Sequence, residues 1–544
     1  MDGKIINREQ LREMLVTGAA LLEKNRALID SLNVFPVPDG DTGTNMTMTM
    51  QSAIKEIRSA DCSTVTCVAD ALSLGALKGA RGNSGVILSQ LFRGFARSLK
   101  GVKEMNAVQF AEALAMGSEA AYKAVMKPKE GTILTVARMI ADAAREAAAG
   151  GTDAISLLDV VIEEGERALK LTPDLLPVLK EAGVIDSGGK GLVTIYRGFK
   201  MALTGEEVGE ISLEKTPEQF DEDVLSLENV EDIHFGYCTE YFITHLKEEV
   251  TEEDVDRYRE KLSHLGDSIV VAFDTGFIKT HVHTNDPGKA LQLALRFGEV
   301  DKIKIENMRE QNRAIHAQRK NNEKEFAMIA VASGEGIGNV FSDLAVDALI
   351  QGGQTMNPSI EDIKRTIFKV NARNVFVLPN NSNIILAAQQ AAELSECNVV
   401  VIPSKSIPQG VCAAMAFHLD LTAEENEKRM REAITKVVSG AVTYAVRDTA
   451  FNGTEIHKDD MIGMMDGAIV AVDESIQEVS LKLLREMLKK NGQTDCIVTI
   501  FYGESMQEAT AMELVNALQP DYPDVEFIVE NGGQPIYYYY FSVE

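Results

Sequence analysis

The sequence predicts a multidomain chain: an all-α N-terminal domain, then a small α/β domain, then a larger α/β domain. Three observations carry this. The chain has 544 residues, and length alone points to ~3–4 domains. Through residues 1–204 apolar side chains recur at helical spacing, and β-branched runs are scarce. Beyond residue 233 short β-branched runs alternate with amphipathic stretches.

In the first domain, amphipathic segments over Gln10–Ser31, Val108–Met126, Thr132–Ala148 and Leu157–Leu169 predict helices. Residues 205–232 are rich in Glu and Asp with little periodicity, and read as a linker. In 233–310, Tyr237–Leu246, Ser268–Phe273 and Phe277–His283 read as strands, with helices over Thr251–Leu262 and Gly288–Phe297. Met308–Glu325 is polar and helix-forming, a connector.

In 326–544 the expected strands are Phe326–Ala332, Val375–Leu378, Val399–Ile402, Ala441–Val446, Ile469–Val472, Cys496–Tyr502 and Val525–Glu530. Helices are expected over Gly338–Gln351, Ile384–Leu394 and Met506–Leu518. Strands alternating with helices predict a largely parallel sheet covered on both faces. Tyr537–Phe541 reads as a buried terminal strand.

A net charge of −28 argues against a broad phosphate-binding surface, so no nucleic-acid partner is expected. No apolar run is long enough to span a bilayer, and Met1 to Lys24 has no signal-peptide core. The six cysteines are scattered without a C-x-x-C pair. Reduced thiols and a cytoplasmic protein are expected.

The chemistry concentrates in Asn33-Val34-Phe35-Pro36-Val37-Pro38-Asp39-Gly40-Asp41-Thr42-Gly43-Thr44-Asn45-Met46. Two carboxylates, two glycines and two threonines sit in one loop, and Met46, Met50, Ile54 and Ile57 continue it as a helix. A helix N-terminus favours anionic oxygen. Carboxylates there would repel phosphate unless a cation lies between, so the pattern points to a Mg²⁺-nucleotide site. A plain Asp-Gly turn with a Thr cap is the simpler alternative.

Three further loops share the design: Gly79–Gly85, Lys127–Thr132 and Asp186–Gly191. Each opens an amphipathic helix. In an up-down bundle, alternate loops lie at one end, so several positive helix ends would converge. Backbone N–H groups, Thr44 and Ser84 would hold phosphates and the Asp pair would hold metal. No Walker A motif is present.

The Asn33–Met46 stretch, with Arg81-Gly82-Asn83-Ser84-Gly85 and Asp186-Ser187-Gly188-Gly189, resembles the DhaL-type nucleotide-binding domain of dihydroxyacetone kinases. Its wording is similar to that of the ATP-binding component of bacterial fatty acid kinases. Thr280-His281-Val282-His283-Thr284-Asn285 and Gly532-Gly533-Gln534-Pro535 extend the resemblance along the chain. It implies an eight-helix barrel holding ATP and two Mg²⁺ ions, with Asp39 and Asp41 as metal ligands. The sugar-kinase branch carries a third aspartate slightly earlier, where this chain offers Asn33. Arg81 is expected to serve catalysis. Gly40, Thr42, Gly43, Thr44, Asn45, Asn83, Ser84, Gly85, Thr132, Asp186 and Gly188 would line the nucleotide.

In the resembled family a separate fatty-acid-binding carrier presents the carboxylate, and the product is an acyl phosphate used in phospholipid synthesis. A carboxylate is ionised near neutral pH and needs no general base, and no obvious base stands in the motif. The resemblance also implies a DegV-like C-terminal domain for docking, and a homodimer. The alternatives are a sugar kinase acting on dihydroxyacetone and a non-catalytic nucleotide-binding scaffold.

In the middle domain, His281 and His283 lie two apart on a strand and so share a face. With Cys238 on another strand they suit Zn²⁺. The fourth ligand would be His264, Glu240, Asp286 or water; solvent-facing histidines beside a buried cysteine are the alternative. Ser333-Gly334-Glu335-Gly336-Ile337-Gly338 opens a helix after a strand, but its third glycine comes one residue early for a dinucleotide turn.

Overall fold

The computed structural model describes residues 5–33, 40–125, 128–206, 234–247, 250–274, 277–311, 313, 322–353, 357–445, 449–451 and 454–544. The chain forms two compact units, one from residues 1–214 with 325–544 and one from 215–324.

The first part of the larger unit is helical: α1 (Arg8–Lys24), α2 (Arg26–Leu32), α3 (Thr42–Ser59), α4 (Val65–Gly79), α5 (Gly82–Ser98), α6 (Ala107–Ala124), α7 (Ile133–Ala149), α8 (Ala154–Leu175), α9 (Pro177–Glu181) and α10 (Ser187–Thr204). Among these described helices, the eight longer than seven residues form a closed ring. Each packs on the next, and α10 returns to α1. Short strands β1 (Ile5–Ile6) and β2 (Met105–Asn106) tie the entries of α1 and α6 together.

The expected Gln10–Ser31 helix is two. Asn25 turns its side chain back onto Leu21 O at 2.8 Å, which competes with the helical ladder. Local caps set the other starts. Asn7 and Asn106 form capping boxes with Gln10 and Gln109. Asp153 accepts from two backbone N–H groups of α8.

The ring closes where α1 and α10 touch through glycine. A Cβ on Gly198 would lie 2.5 Å from Gly18 Cα, and one on Gly18 would lie 2.9 Å from a Phe199 ring carbon. The interior is filled by one apolar cluster that includes Leu15, Met50, Phe110, Val136 and Ile195.

One cysteine expectation is corrected. Cys62 and Cys67 form a disulfide, their Cα atoms 5.2 Å apart across the turn between α3 and α4. Cys238, Cys412 and Cys496 carry free thiols.

The middle unit holds β3 (Tyr237–Thr244), β4 (Gly266–Asp274), β5 (Phe277–Thr284) and β6 (Glu299–Asn307) in the order β4-β5-β3-β6, all pairs antiparallel. Helices Glu252–Ser263 and Pro287–Ala294 bury Val255, Tyr258, Leu262 and Ala290 against Tyr241, Ile243, Ile278 and Val282 on one sheet face. Strand β6 was not expected. Its sequence, Glu-Val-Asp-Lys-Ile-Lys-Ile-Glu-Asn, is charged because it is a mostly exposed edge strand. Residues 207–233, and half of the connector read from 308 to 325, lie outside the described residues.

The C-terminal part of the larger unit has two main sheets rather than one. The first contains β7 (Lys324–Ala332), β8 (Ala348–Gln351), β9 (Ala372–Leu378) and β10 (Asn398–Val401) in the order β10-β9-β7-β8. Its β9/β10 and β7/β8 pairs are parallel. β11 (Val438–Tyr444), the small hairpin β12 (Thr449–Phe451) and β13 (Thr454–Ile456), β14 (Met461–Met465), β15 (Ala468–Asp473), β16 (Ile497–Tyr502), β17 (Glu526–Asn531) and β18 (Tyr539–Val543) follow.

The second sheet has the order β15-β14-β11-β18-β16-β17. It is antiparallel except at β16/β17. A largely parallel sheet was expected, but Asp466-Gly467, a two-residue hairpin turn signal that this expectation left out, joins Met461–Met465 to Ala468–Asp473 as an antiparallel pair. The expected helix Gly338–Gln351 is instead a helix Glu335–Asp343 followed by β8. Ala345, at φ +58°, turns the chain between them. The tyrosine-rich end is β18, central in its sheet, with Tyr539 and Phe541 buried. No described helix is long and apolar enough to cross a membrane.

Gly198→Val should lower the stability of the helical ring by about 1–3 kcal/mol, the usual cost of overpacking. Urea unfolding followed by helical circular dichroism reads this; an unchanged midpoint would show that α1 and α10 have room to separate.

Candidate functional site

Four helix N-termini meet at one end of the ring. A Cβ on Gly82, the first residue of α5, would lie 2.5 Å from Asn45 Nδ2 of α3. One on Gly191 in α10 would lie 2.6 Å from the Met46 sulfur of α3. One on Gly188 would lie 3.2 Å from Ile133 Cβ, the first residue of α7. The ends of α5, α3, α10 and α7 are therefore contiguous. Gly82 has φ +55°, a backbone conformation that glycine adopts without strain.

Carboxylates stand at these ends. Asp30, in α2, accepts from the Thr44 N–H at 3.0 Å and the Thr44 hydroxyl at 2.9 Å. Asp41 is the N-cap residue of α3 and is buried. Asp186 caps α10 through Gly189 N at 2.7 Å and also accepts from the Ile133 N–H of α7. Carboxylates beside positive helix ends are stabilising.

Asp39, with the rest of 34–39, lies outside the described residues. Asn33 is the C-cap of α2, and its backbone N–H goes to Asp30 O. The acid nearest the loop on its N-terminal side is thus Asp30, which sequence reasoning missed. It lies on an apolar-spaced helix and carries no motif, and only the fold brings it back to Thr44. Gly40 is exposed; Thr42, Gly43, Asn45, Gly85 and Gly188 are buried; Ser84 is half-buried. Thr132 caps α7 through Leu134 N and donates to Lys129 O.

The C-terminal domain lies against the same end and reaches Asp41. Asn357 Nδ2 donates to Asp41 Oδ2 at 2.5 Å. Arg81 Nη1 donates to the Asn357 carbonyl at 3.3 Å, and Arg81 Nη2 lies 3.9 Å from Asp362. Asn83 Nδ2 donates to Asn383 Oδ1 at 3.0 Å, and Gln90 Nε2 to Gln390 Oε1 at 3.1 Å. Ile360 N donates to Ala80 O at 3.1 Å. Ala80 and Val86 share an apolar core with Ile360, Ile363, Ile384 and Ala387.

The residues fit a metal-bound nucleotide: clustered N–H donors, a buried carboxylate, and beside it an amide oxygen, Asn357 Oδ1, with no hydrogen-bond partner among the described residues.

In the middle unit, β3/β5 pairing sets Cys238 opposite His283 and Glu240 opposite His281. The thiol and both imidazoles face away from the covering helices, and one donor atom from each lies within 4.8 Å of the others. Among the described residues this is the one such cluster found. Burial holds both imidazoles below their usual pKa, so they are neutral donors near pH 7. Burial pushes the Cys238 thiol up, with Glu306 adding to it. Two expected fourth ligands are committed elsewhere: Glu240 pairs with Lys279 at 2.8 Å, and Asp286 with Lys289 at 2.8 Å. The glycines at 334 and 336 pack against the backbone of Asn531 and Gly532, a close approach rather than a phosphate turn.

Desolvation raises Asp186 from 3.8 to about 6, against the pull of its two N–H donors. A raised carboxyl pKa contributes stability that is complete below about 4 and lost as pH rises through about 6. Asp186→Asn should therefore flatten the pH dependence of the melting temperature between those values. A slope equal to that of the unaltered protein would show that Asp186 ionises normally.

Comparison with known proteins places this geometry. Residues 36–201 match the DAK2 domain, 234–315 the middle domain of FakA-like fatty acid kinase proteins, and 327–544 the FakA-like C-terminal domain. The chain is 46% identical to Protein YloV of Bacillus subtilis, over 100% of both chains. It is 43% identical to an uncharacterized protein of Staphylococcus aureus, over 99% of both. Among solved structures, a DegV family protein of Corynebacterium glutamicum aligns with 40% of this chain and 97% of its own, at 15% identity and TM-score 0.33. The dihydroxyacetone kinase of C. freundii with AMP-PNP and Mg²⁺ aligns with 35% of this chain and 33% of its own, at 15% identity and TM-score 0.28. With all three domain types in order and close relatives matched end to end, the chain belongs to the FakA-like fatty acid kinase family.

Proposed function

We propose that the protein transfers the γ-phosphoryl group of ATP to the carboxylate of a fatty acid held by a separate, DegV-like carrier, giving an acyl phosphate for phospholipid synthesis. The observation that carries this reading is the meeting of four helix N-termini around Asp41 within a DAK2 domain. Clustered N–H groups suit phosphate oxygens. Membership of the FakA-like fatty acid kinase family supports a fatty acid carboxylate as the acceptor.

Asp41, with Asp39, would hold Mg²⁺, which would supply positive charge to offset that of the moving phosphoryl group. Asn45, Gly82, Asn83, Ser84 and Gly85 lie where phosphate oxygens approach the α3 and α5 ends; Thr132, Asp186 and Gly188 form the α7–α10 side. A fatty acid carboxylate oxygen attacks the γ-phosphorus, the bond from that phosphorus to the β–γ bridging oxygen breaks, and ADP leaves with the electron pair. The acceptor arrives ionised, so no side chain need take a proton. The cavity inside the ring, lined by Leu15, Leu91, Phe95 and Phe199 among others, is about 20 Å³. That is room for a water molecule, not an acyl chain, which supports presentation by a carrier.

Purified protein should consume ATP with Mg²⁺ and fatty-acid-loaded carrier, and not with dihydroxyacetone. Asp41→Ala should reduce turnover at least a hundredfold, as loss of a metal ligand in phosphoryl transfer implies. Phosphorylated dihydroxyacetone would convert the reading to a sugar kinase. No product with either acceptor would leave a nucleotide-binding scaffold.

We also infer that Cys238, His281 and His283 hold zinc, with a fourth position open. The donor set and its placement on one sheet face support this. Emission analysis of protein purified without added metal should find about one zinc per chain, lost in His281→Ala and in His283→Ala. Equal zinc in the unaltered and substituted proteins would end the assignment.

A further inference from the structure

Asn357 sits where the C-terminal domain meets the α3 and α5 ends. It is 1% exposed. Its Nδ2 donates to Asp41 at 2.5 Å and its carbonyl accepts from Arg81. Its Oδ1 has no hydrogen-bond partner among the described residues. A buried amide oxygen without a donor costs about 1–3 kcal/mol, and folded proteins keep few. The atom points to a ligand for which it is kept.

The chemistry of its neighbours says which. A carboxamide offers N–H donors on one side and an oxygen on the other, exchanged by a half-turn of the terminal group. Beside a bare carboxylate it donates. Beside a carboxylate that carries a divalent cation, the N–H side would face like charge, and the half-turn presents a hard oxygen instead. Asn45 and Asn357 both lie against Gly82, within 3.3 Å of where its Cβ would be, so no larger residue fits between them.

The side chain is delivered by a fixed frame. Ser359 pairs with Arg81 as an antiparallel bridge. Ile360 N bonds Ala80 O, and the apolar core of Ala80, Val86, Ile360 and Ile363 holds the frame.

We propose that Asn357 of the C-terminal domain is a direct ligand, through its carboxamide oxygen, of the divalent cation held by Asp41, so that the docked C-terminal domain completes the nucleotide site. This rests on reading Asp41 as part of a metal-nucleotide site. It gives the site an oxygen from outside the helical ring, where Asp30 is committed to Thr44.

The test uses the full chain, Mn²⁺ as the metal and AMP-PNP as the nucleotide, with free Mn²⁺ followed by electron paramagnetic resonance. Asn357→Ala should raise the Mn²⁺ dissociation constant tenfold or more. Asn357→Asp, of the same shape with an oxygen in place, should stay within about threefold of the unaltered protein. An alanine variant that binds Mn²⁺ equally or more tightly overturns the proposal, because the amide would then merely occupy Asp41. Equal weakening by alanine and aspartate also overturns it, because the loss would come from the interface. If the unaltered protein binds no Mn²⁺ with AMP-PNP, the underlying nucleotide reading fails. If Asp41→Ala abolishes binding while Asn357→Ala does not, only the role of Asn357 fails.

Discussion

Four helix N-termini brought to one end of a closed ring impose the constraint on which the rest of this domain depends. Each end carries roughly half a positive charge and several N–H groups without helical partners. Placed side by side, such ends repel. The fold answers with carboxylates and amides drawn from neighbouring elements. Asp30 reaches from α2 to α3, Asp186 bridges α10 and α7, and Asn357 arrives from the far end of the sequence. The glycines at 82, 188 and 191 let the ends close without side chains between them. An end built this way favours negative charge placed on it.

Much of this was legible because it is local. Amphipathic spacing showed the long helices, and glycine or hydroxyl residues at helix entries marked the loops that converge. The Asp186 cap and the Thr132 cap are i to i+3 or i+2 contacts, within reach of a sequence pattern. What was not legible is non-local. Asp30 comes to Thr44 only because α2 folds back beside α3, and nothing in Ile29-Asp30-Ser31 announces it. The charged edge strand Glu299–Asn307 escaped because exposed edges avoid the apolar alternation that identifies strands. In the sheet after residue 438, β11 and β16 pair antiparallel through β18, the last strand, which inserts between them. No local rule foretells where a terminal strand inserts. The Cys62–Cys67 pair likewise depends on the turn between two helices, not on a recognisable spacing.

The contact between the helical ring and the C-terminal domain is apolar at its centre and polar at its edge. Ala80 and Val86 are wholly buried together with Ile360, Ile363 and Ile384. Burying a side chain of this size contributes roughly 1.5–3 kcal/mol, so separating these faces costs several times that. Around this core the paired amides Asn83–Asn383 and Gln90–Gln390 fix the register. Such a contact belongs to the folded state and is not an occasional encounter.

From this it follows that the proposed chemistry would be carried out with the C-terminal domain in place. Arg81 illustrates the consequence. Its guanidinium lies against the Asn357 carbonyl and within 3.9 Å of Asp362. A cation shared between a carbonyl and a carboxylate is positioned by both, and its charge is partly offset before any phosphate arrives. Under the proposed function, the positive charge available to a transferring phosphoryl group would be set as much by the C-terminal domain as by the loop that carries Arg81. A helical domain removed from its partner would keep the motif and lose the electrostatics, which is why the loop alone, read from sequence, describes only half of the site.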